Sequence, residues 1–170
     1  MTAYDPGAWA DFALAQLGAS AALLGLVFVG LSINLKDLIG SRLLVNRAGE
    51  AVIGLGGVLA ASTCVLVPDQ SGTALGVELL VVAAAIFASI AAVQRGAWAS
   101  AVPKGERGAT RGAVRLRQVL GLGSALLLAT AAVTLLAEGG GGLYWWPAAI
   151  LAAYTGALTN AWVLMVEILR

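Results

Sequence analysis

Side chains able to do chemistry are few in this chain, and their spacing is unhelpful. The 170 residues include no histidine, so the side chain most used as general base, proton shuttle and metal ligand is missing. The single cysteine, Cys64, lies in an apolar run and reads as a small packing residue. Ser20, Ser32, Ser62, Ser89 and Ser124 have no histidine to activate them, and no lysine lies within the apolar segments. No two carboxylates share a depth as an acid pair would require. The glycine run at 139–142 lacks the Lys and Ser/Thr that follow a phosphate-binding loop. The sequence offers no catalytic residue, no metal ligand and no cofactor site, and the expectation is a protein that is not an enzyme.

The remaining polar groups each admit a functional and a structural reading. Ionisable and amide side chains inside apolar segments are costly and point to function by default. Glu78 shares a helix face with Ala85, Ser89 and Ala92, so it is expected to face protein. It reads as an ion or proton uptake site, or as an interfacial carboxylate near a helix start. Gln16, Ser20 and Asn34 form one stripe, with Leu23, Val27 and Leu31 between them. That stripe would suit a pore lining with a hydrophobic constriction, or polar glue between helices. Asn160 lies on the face of Gly156 and Ala153, as a helix-to-helix hydrogen bonder would. Glu50 and Glu167 sit at helix ends beside basic loops and read as salt-bridged surface groups. Lys104, Arg107, Arg111, Arg115 and Arg117 face Glu106 alone and suit anionic lipid headgroups. The loop is short and lacks interleaved aromatics, so no nucleic-acid partner is expected.

These groups must be positioned by membrane-spanning helices. The chain is 60% hydrophobic and 11% charged, against about 45–50% and about 25% in soluble domains. That excludes disorder, a disulfide-built secreted module and an ordinary soluble domain. A spanning helix needs about 20 mostly apolar residues. Five such segments are expected at about 10–36, 49–67, 74–94, 116–137 and 146–167. The first lacks the positive start of a signal peptide and reads as a retained helix. The fold class is all-α: one polytopic transmembrane helix bundle over 1–170, with no soluble domain.

Charge then sets the orientation. With five spans, Lys36, Arg42, Arg47, Arg95, Lys104, Arg107, Arg111, Arg115, Arg117 and Arg170 fall on one side. Asp5, Asp11, Asp69, Glu78 and Glu138 fall on the other. The positive-inside rule places the N-terminus outside and the C-terminus in the cytoplasm. Tyr4, Trp9, Tyr144, Trp145 and Trp146 are expected to form an outer aromatic belt. Residues 138–145 are expected to be a flexible outer loop, and residues 37–48 a short inner connection.

Small residues mark where helices touch in lipid. Gly18, Gly25 and Ser32 recur at seven-residue spacing on the face opposite Gln16, Ser20 and Asn34. With both faces occupied, the first helix is expected to be central. In the last helix Ala149, Ala153, Ala157 and Ala161 form one row, and Ala148, Ala152, Gly156 and Asn160 a second. Gly121, Ala125 and Ala129 form a weaker row.

Residues 18–36, GASAALLGLVFVGLSINLK, resemble the first-helix signature of a family of small, largely uncharacterised bacterial integral membrane proteins. The likeness extends through GVELL at 76–80 and the closing VLMVEILR. The resemblance implies the bacterial inner membrane and brings no catalytic residues. The expected function is non-enzymatic and exerted through helix–helix contacts, as a homo-oligomer or an accessory subunit. The alternative is a small oligomeric ion channel lined by the first helix. Expected partners are the lipid bilayer, anionic headgroups at the cytoplasmic face, and a second copy or another membrane protein.

Overall fold

The computed structural model describes residues 2–99 and 111–168, and all regular structure among them is helical. Helices α1 (Ala10–Ile33), α2 (Leu35–Ile39), α3 (Arg42–Val65), α4 (Gly72–Ala99), α5 (Arg111–Leu136) and α6 (Trp145–Ile168) follow in order. Five segments are long and apolar enough to cross a membrane: Pro6–Ile33, Leu44–Val65, Gly72–Arg95, Arg117–Leu136 and Gly142–Met165. Their outer surfaces carry Leu26, Ile33, Val81, Leu151 and Trp162, all well exposed. Such a surface suits lipid tails rather than water.

Local signals set the helix ends. Asp5 accepts a hydrogen bond from Gly7 N at 3.0 Å, and Pro6 opens the short 3-10 turn Pro6–Trp9 that leads into α1. Ser71 Oγ accepts from Ala74 N at 3.1 Å and starts α4. Ser41 takes the same role for α3, accepting from Leu44 N at 3.5 Å. The inner connection is therefore shorter than expected: α2 fills part of it, and α3 begins at Arg42 rather than near 49.

Helices α3, α4, α5 and α6 form a ring in which each packs on the next and α6 closes onto α3. Neighbours run antiparallel. Gly57 faces Ile86 while Cys64 meets Glu78, further along α3 and earlier on α4. Gly76 lies against Ala132 and Leu136, and Gly121 against Ile90. Gly54 approaches the Ala153 carbonyl, and Glu50 meets Asn160. The main core runs through this ring, with Val58, Ala61, Leu79, Leu128, Ala132 and Trp146 among its members.

Helix α1 lies outside the ring against α3, which corrects the expectation of a central first helix. Of its most apolar stretch 11% is buried, against 50% for α3. Its inner face packs Ala13 against Val58 and Ala61, and Leu23, Leu24 and Val27 against Ala51, Leu55 and Ala157. Its outer face, with Leu14, Gly18, Gly25, Val29 and Ser32, is exposed. Helix α3 is central instead, touching α1, α4 and α6.

One end of the ring is closed by aromatics. Trp9 packs on Phe12, Tyr144 and Trp146 at 5.7, 5.5 and 6.2 Å between ring centres, and Phe12 on Trp146 at 5.3 Å. Trp146 is 1% exposed, so it is a core residue rather than part of an outer belt. The loop expected to be flexible is pinned beneath the N-terminal segment. Gly141 N donates to Tyr4 Oη at 3.2 Å, and Trp145 Nε1 to the Gly140 carbonyl at 2.8 Å. Gly140, Gly141 and Gly142 have positive φ, and a side chain on Gly142 would collide with the Ala3 carbonyl.

Candidate functional site

The opposite end of the ring buries a polar junction built by four helices. Glu50 on α3, Gln94 on α4 and Asn160 on α6 are 6%, 6% and 3% exposed. Arg117 on α5 reaches in, its Nε 3.0 Å from Glu50 Oε2. Asn160 Nδ2 donates to the same oxygen at 3.3 Å. Arg47, one turn earlier on α3, lies near enough to act on the Glu50 carboxylate, and Gln94 approaches it from α4. Burying a lone carboxylate would be prohibitive, and the guanidinium and amide compensate that cost.

The local sequence explains the placement. With α3 starting at Arg42, Glu50 stands about two turns inside the helix. It shares a face with Gly54 and Gly57, the positions where α6 and α4 come closest. The small residues leave two cavities of about 20 Å3 each along the ring interior. Gly54, Ser124 and Ala153 line both, which places the cavities side by side. The expectation that Glu50 is a surface group is overturned. Sequence reasoning also passed over Gln94. The available signal was the Glu50, Gly54, Gly57 spacing, which puts the carboxylate on the small-residue face of its helix.

The other singled-out residues divide by location. Gln16, Ser20, Leu23 and Val27 turn toward α3 and α6. Gln16 Oε1 is buried, Ser20 is fully buried with its hydroxyl on the Leu17 carbonyl at 3.0 Å, and Tyr154 Oη donates to the Gln16 carbonyl at 3.3 Å. Asn34 returns its amide to the Gly30 carbonyl at 3.0 Å. Ser20 and Asn34 are thus taken up by bonding to their own helix, while Gln16 Oε1 has no hydrogen-bond partner among the described residues. Glu78 is half-buried against Cys64 of α3, whereas Ala85, Ser89 and Ala92 are exposed. The face shared by those four does not lead inward; Glu78 stands at its edge.

Gly18, Gly25 and Ser32 lie apart from the ring, on the open side of α1. Ala153 is buried toward α3, and Gly156 sits at the α5 seam, where an added Cβ would stand 3.6 Å from Leu120 Cβ. Both rows of α6 are therefore used inside the chain. Arg117 belongs to the junction. Arg111 and Arg115 fall in the first turns of α5, and Lys104 and Arg107 lie outside the described residues.

Chemically the junction is a clamp. It joins four helices through one carboxylate, and it holds no nucleophile paired with a base. Among the described residues no group of three or more carboxylate, thiol or imidazole side chains gathers as a metal site would require. Comparison with protein families, curated proteins and solved structures finds no match to this chain.

Proposed function

We propose that this chain is a non-enzymatic multi-pass membrane protein that acts through helix–helix contacts, as a homo-oligomer or an accessory subunit. In this reading the outer face of α1 is the contact surface. The bilayer is the bacterial inner membrane, the aromatic end faces outward and the basic end faces the cytoplasm and its anionic headgroups.

The observation that carries it is the use of glycine. Gly57 and Gly76 stand where Ile86 and Leu136 would crowd an added Cβ, so the bundle itself needs them. Gly18 and Gly25 stand where an added Cβ would meet nothing within 4 Å. A glycine inside a helix destabilises it by about 1 kcal/mol relative to alanine. Among the described residues no neighbour requires that loss on α1, nor at Gly49 and Gly56 of α3 or Gly123 of α5, but Gly18 and Gly25 stand together on one exposed face. Close approach of a second transmembrane helix would require it there. The channel reading gains no such support, because Ser20 and Asn34 of the α1 stripe bond to their own helix and Leu23 and Val27 pack inside the bundle.

Cysteine cross-linking in membranes tests this. In a Cys64→Ala background, Gly18→Cys and Gly25→Cys should give disulfide-linked dimers on mild oxidation. Val133→Cys, exposed on α5, should not. Equal yields at all three positions, or none on α1, would reject self-association through this face.

A further inference from the structure

The polar junction has more hydrogen-bonding capacity than its protein partners use. Glu50 Oε2 takes Arg117 and the Asn160 amide. Glu50 Oε1 and Asn160 Oδ1 are buried with no hydrogen-bond partner among the described residues, while Gln94 approaches the Glu50 carboxylate from α4. Glu50 and Asn160 both line the cavity of about 20 Å3 that also borders Gly54, Arg117, Gly121 and Ser124. A water needs at least about 10–15 Å3 measured in this way, and two to four polar partners. The space suits one.

We propose that this cavity is a binding site for a single water molecule, which donates to Glu50 Oε1 and Asn160 Oδ1. The chemistry of the lining selects the occupant. A cation would suit the two oxygens but would face the Arg117 guanidinium, 3.0 Å from the same carboxylate, with Arg47 close by. An anion would face two unpaired oxygens. An apolar occupant would leave both oxygens without a partner. Water donates twice. It links α3 to α6 a second time, so it is a working part of the clamp.

Two measurements test the site. Gly54 borders the cavity, and a Cβ there would lie 3.7 Å from the Ala153 carbonyl, an ordinary contact. Gly54→Ala therefore takes up volume at the shared wall of the cavities without a clash. Gly56→Ala is the reference: its Cβ meets nothing within 4 Å, and it carries the same gain in helix propensity. Expulsion of the water should leave the Tm of Gly54→Ala at least about 2 °C below that of Gly56→Ala. An equal or higher Tm means that a dry void was filled, and overturns the proposal. A Tm that rises when sodium replaces choline in the buffer assigns the site to a cation and also overturns it. A high-resolution structure of the unaltered protein should show one density peak within about 3 Å of both oxygens. A site without that peak rejects the proposal whatever Gly54→Ala does.

Discussion

At the scale of single residues, Glu50 decides most. A buried ion pair is weak evidence for net stability, because desolvation offsets the attraction. Removing one partner is different, since the other charge stays behind. Glu50→Leu should destabilise the protein by about 3 kcal/mol, the lower end of the usual range for a broken buried pair, because the Arg117 side chain keeps 14% exposure. Arg117→Leu should cost a similar amount. Glu50→Leu with Arg117→Leu should recover much of that loss, because neither charge remains. Unfolding of the four proteins in detergent completes the cycle. Additive losses would mean that the two side chains act separately. Asn160 could be read from the sequence as a helix-bridging amide, because an amide inside an apolar run needs a partner. Glu50 could not, because a carboxylate three residues after Arg47 reads as solvated until the start of its helix is known. Ser41 sets that start, and with it the depth of Glu50.

At the scale of helices, the five long segments were legible and their neighbours were not. Length and apolar content reveal a span, but α1 carries a polar stripe on one face and small residues on the other, so its pattern marks both faces and does not say which one meets protein. Small residues were the available guide, and on α1 they stand on the face that the chain leaves open. On α6 the same kind of row is internal. This difference yields a paired prediction. Gly156→Leu adds bulk at the α5 seam, beside Leu120, and overpacking of this kind typically costs about 1–3 kcal/mol. Gly18→Leu adds the same bulk where nothing stands within 4 Å. The first should lower the Tm of the detergent-solubilised monomer, and the second should leave it unchanged or raise it, through the gain in helix propensity, while reducing cross-linking through α1. A monomer destabilised by Gly18→Leu would place α1 differently from the arrangement described here.

At the scale of the molecule, the two ends differ in kind. Lys36, Arg42, Arg47, Arg95 and Arg117 gather at the end of the polar junction, because the helices alternate in direction around the ring. Asp5, Asp11, Asp69 and Glu138 gather at the end closed by Trp9, Phe12 and Trp146. This segregation of the basic residues was visible in the sequence, and it depends on an odd number of crossings. Cytoplasmic loops are enriched in Lys and Arg, so the junction end should lie inside the cell and the aromatic end outside. The 66–71 turn and the glycine loop lie at the aromatic end. In a Cys64→Ala background, a cysteine placed at Asp69 or Gly139, both exposed, should react with a membrane-impermeant maleimide on intact cells. A cysteine placed at Arg42, also exposed but at the basic end, should react only after the membrane is opened. The reverse pattern would turn the molecule over in the bilayer. Labelling of all three positions in intact cells would break the five-span arrangement, since α3 alone separates Arg42 from Asp69 and must cross the membrane once between them.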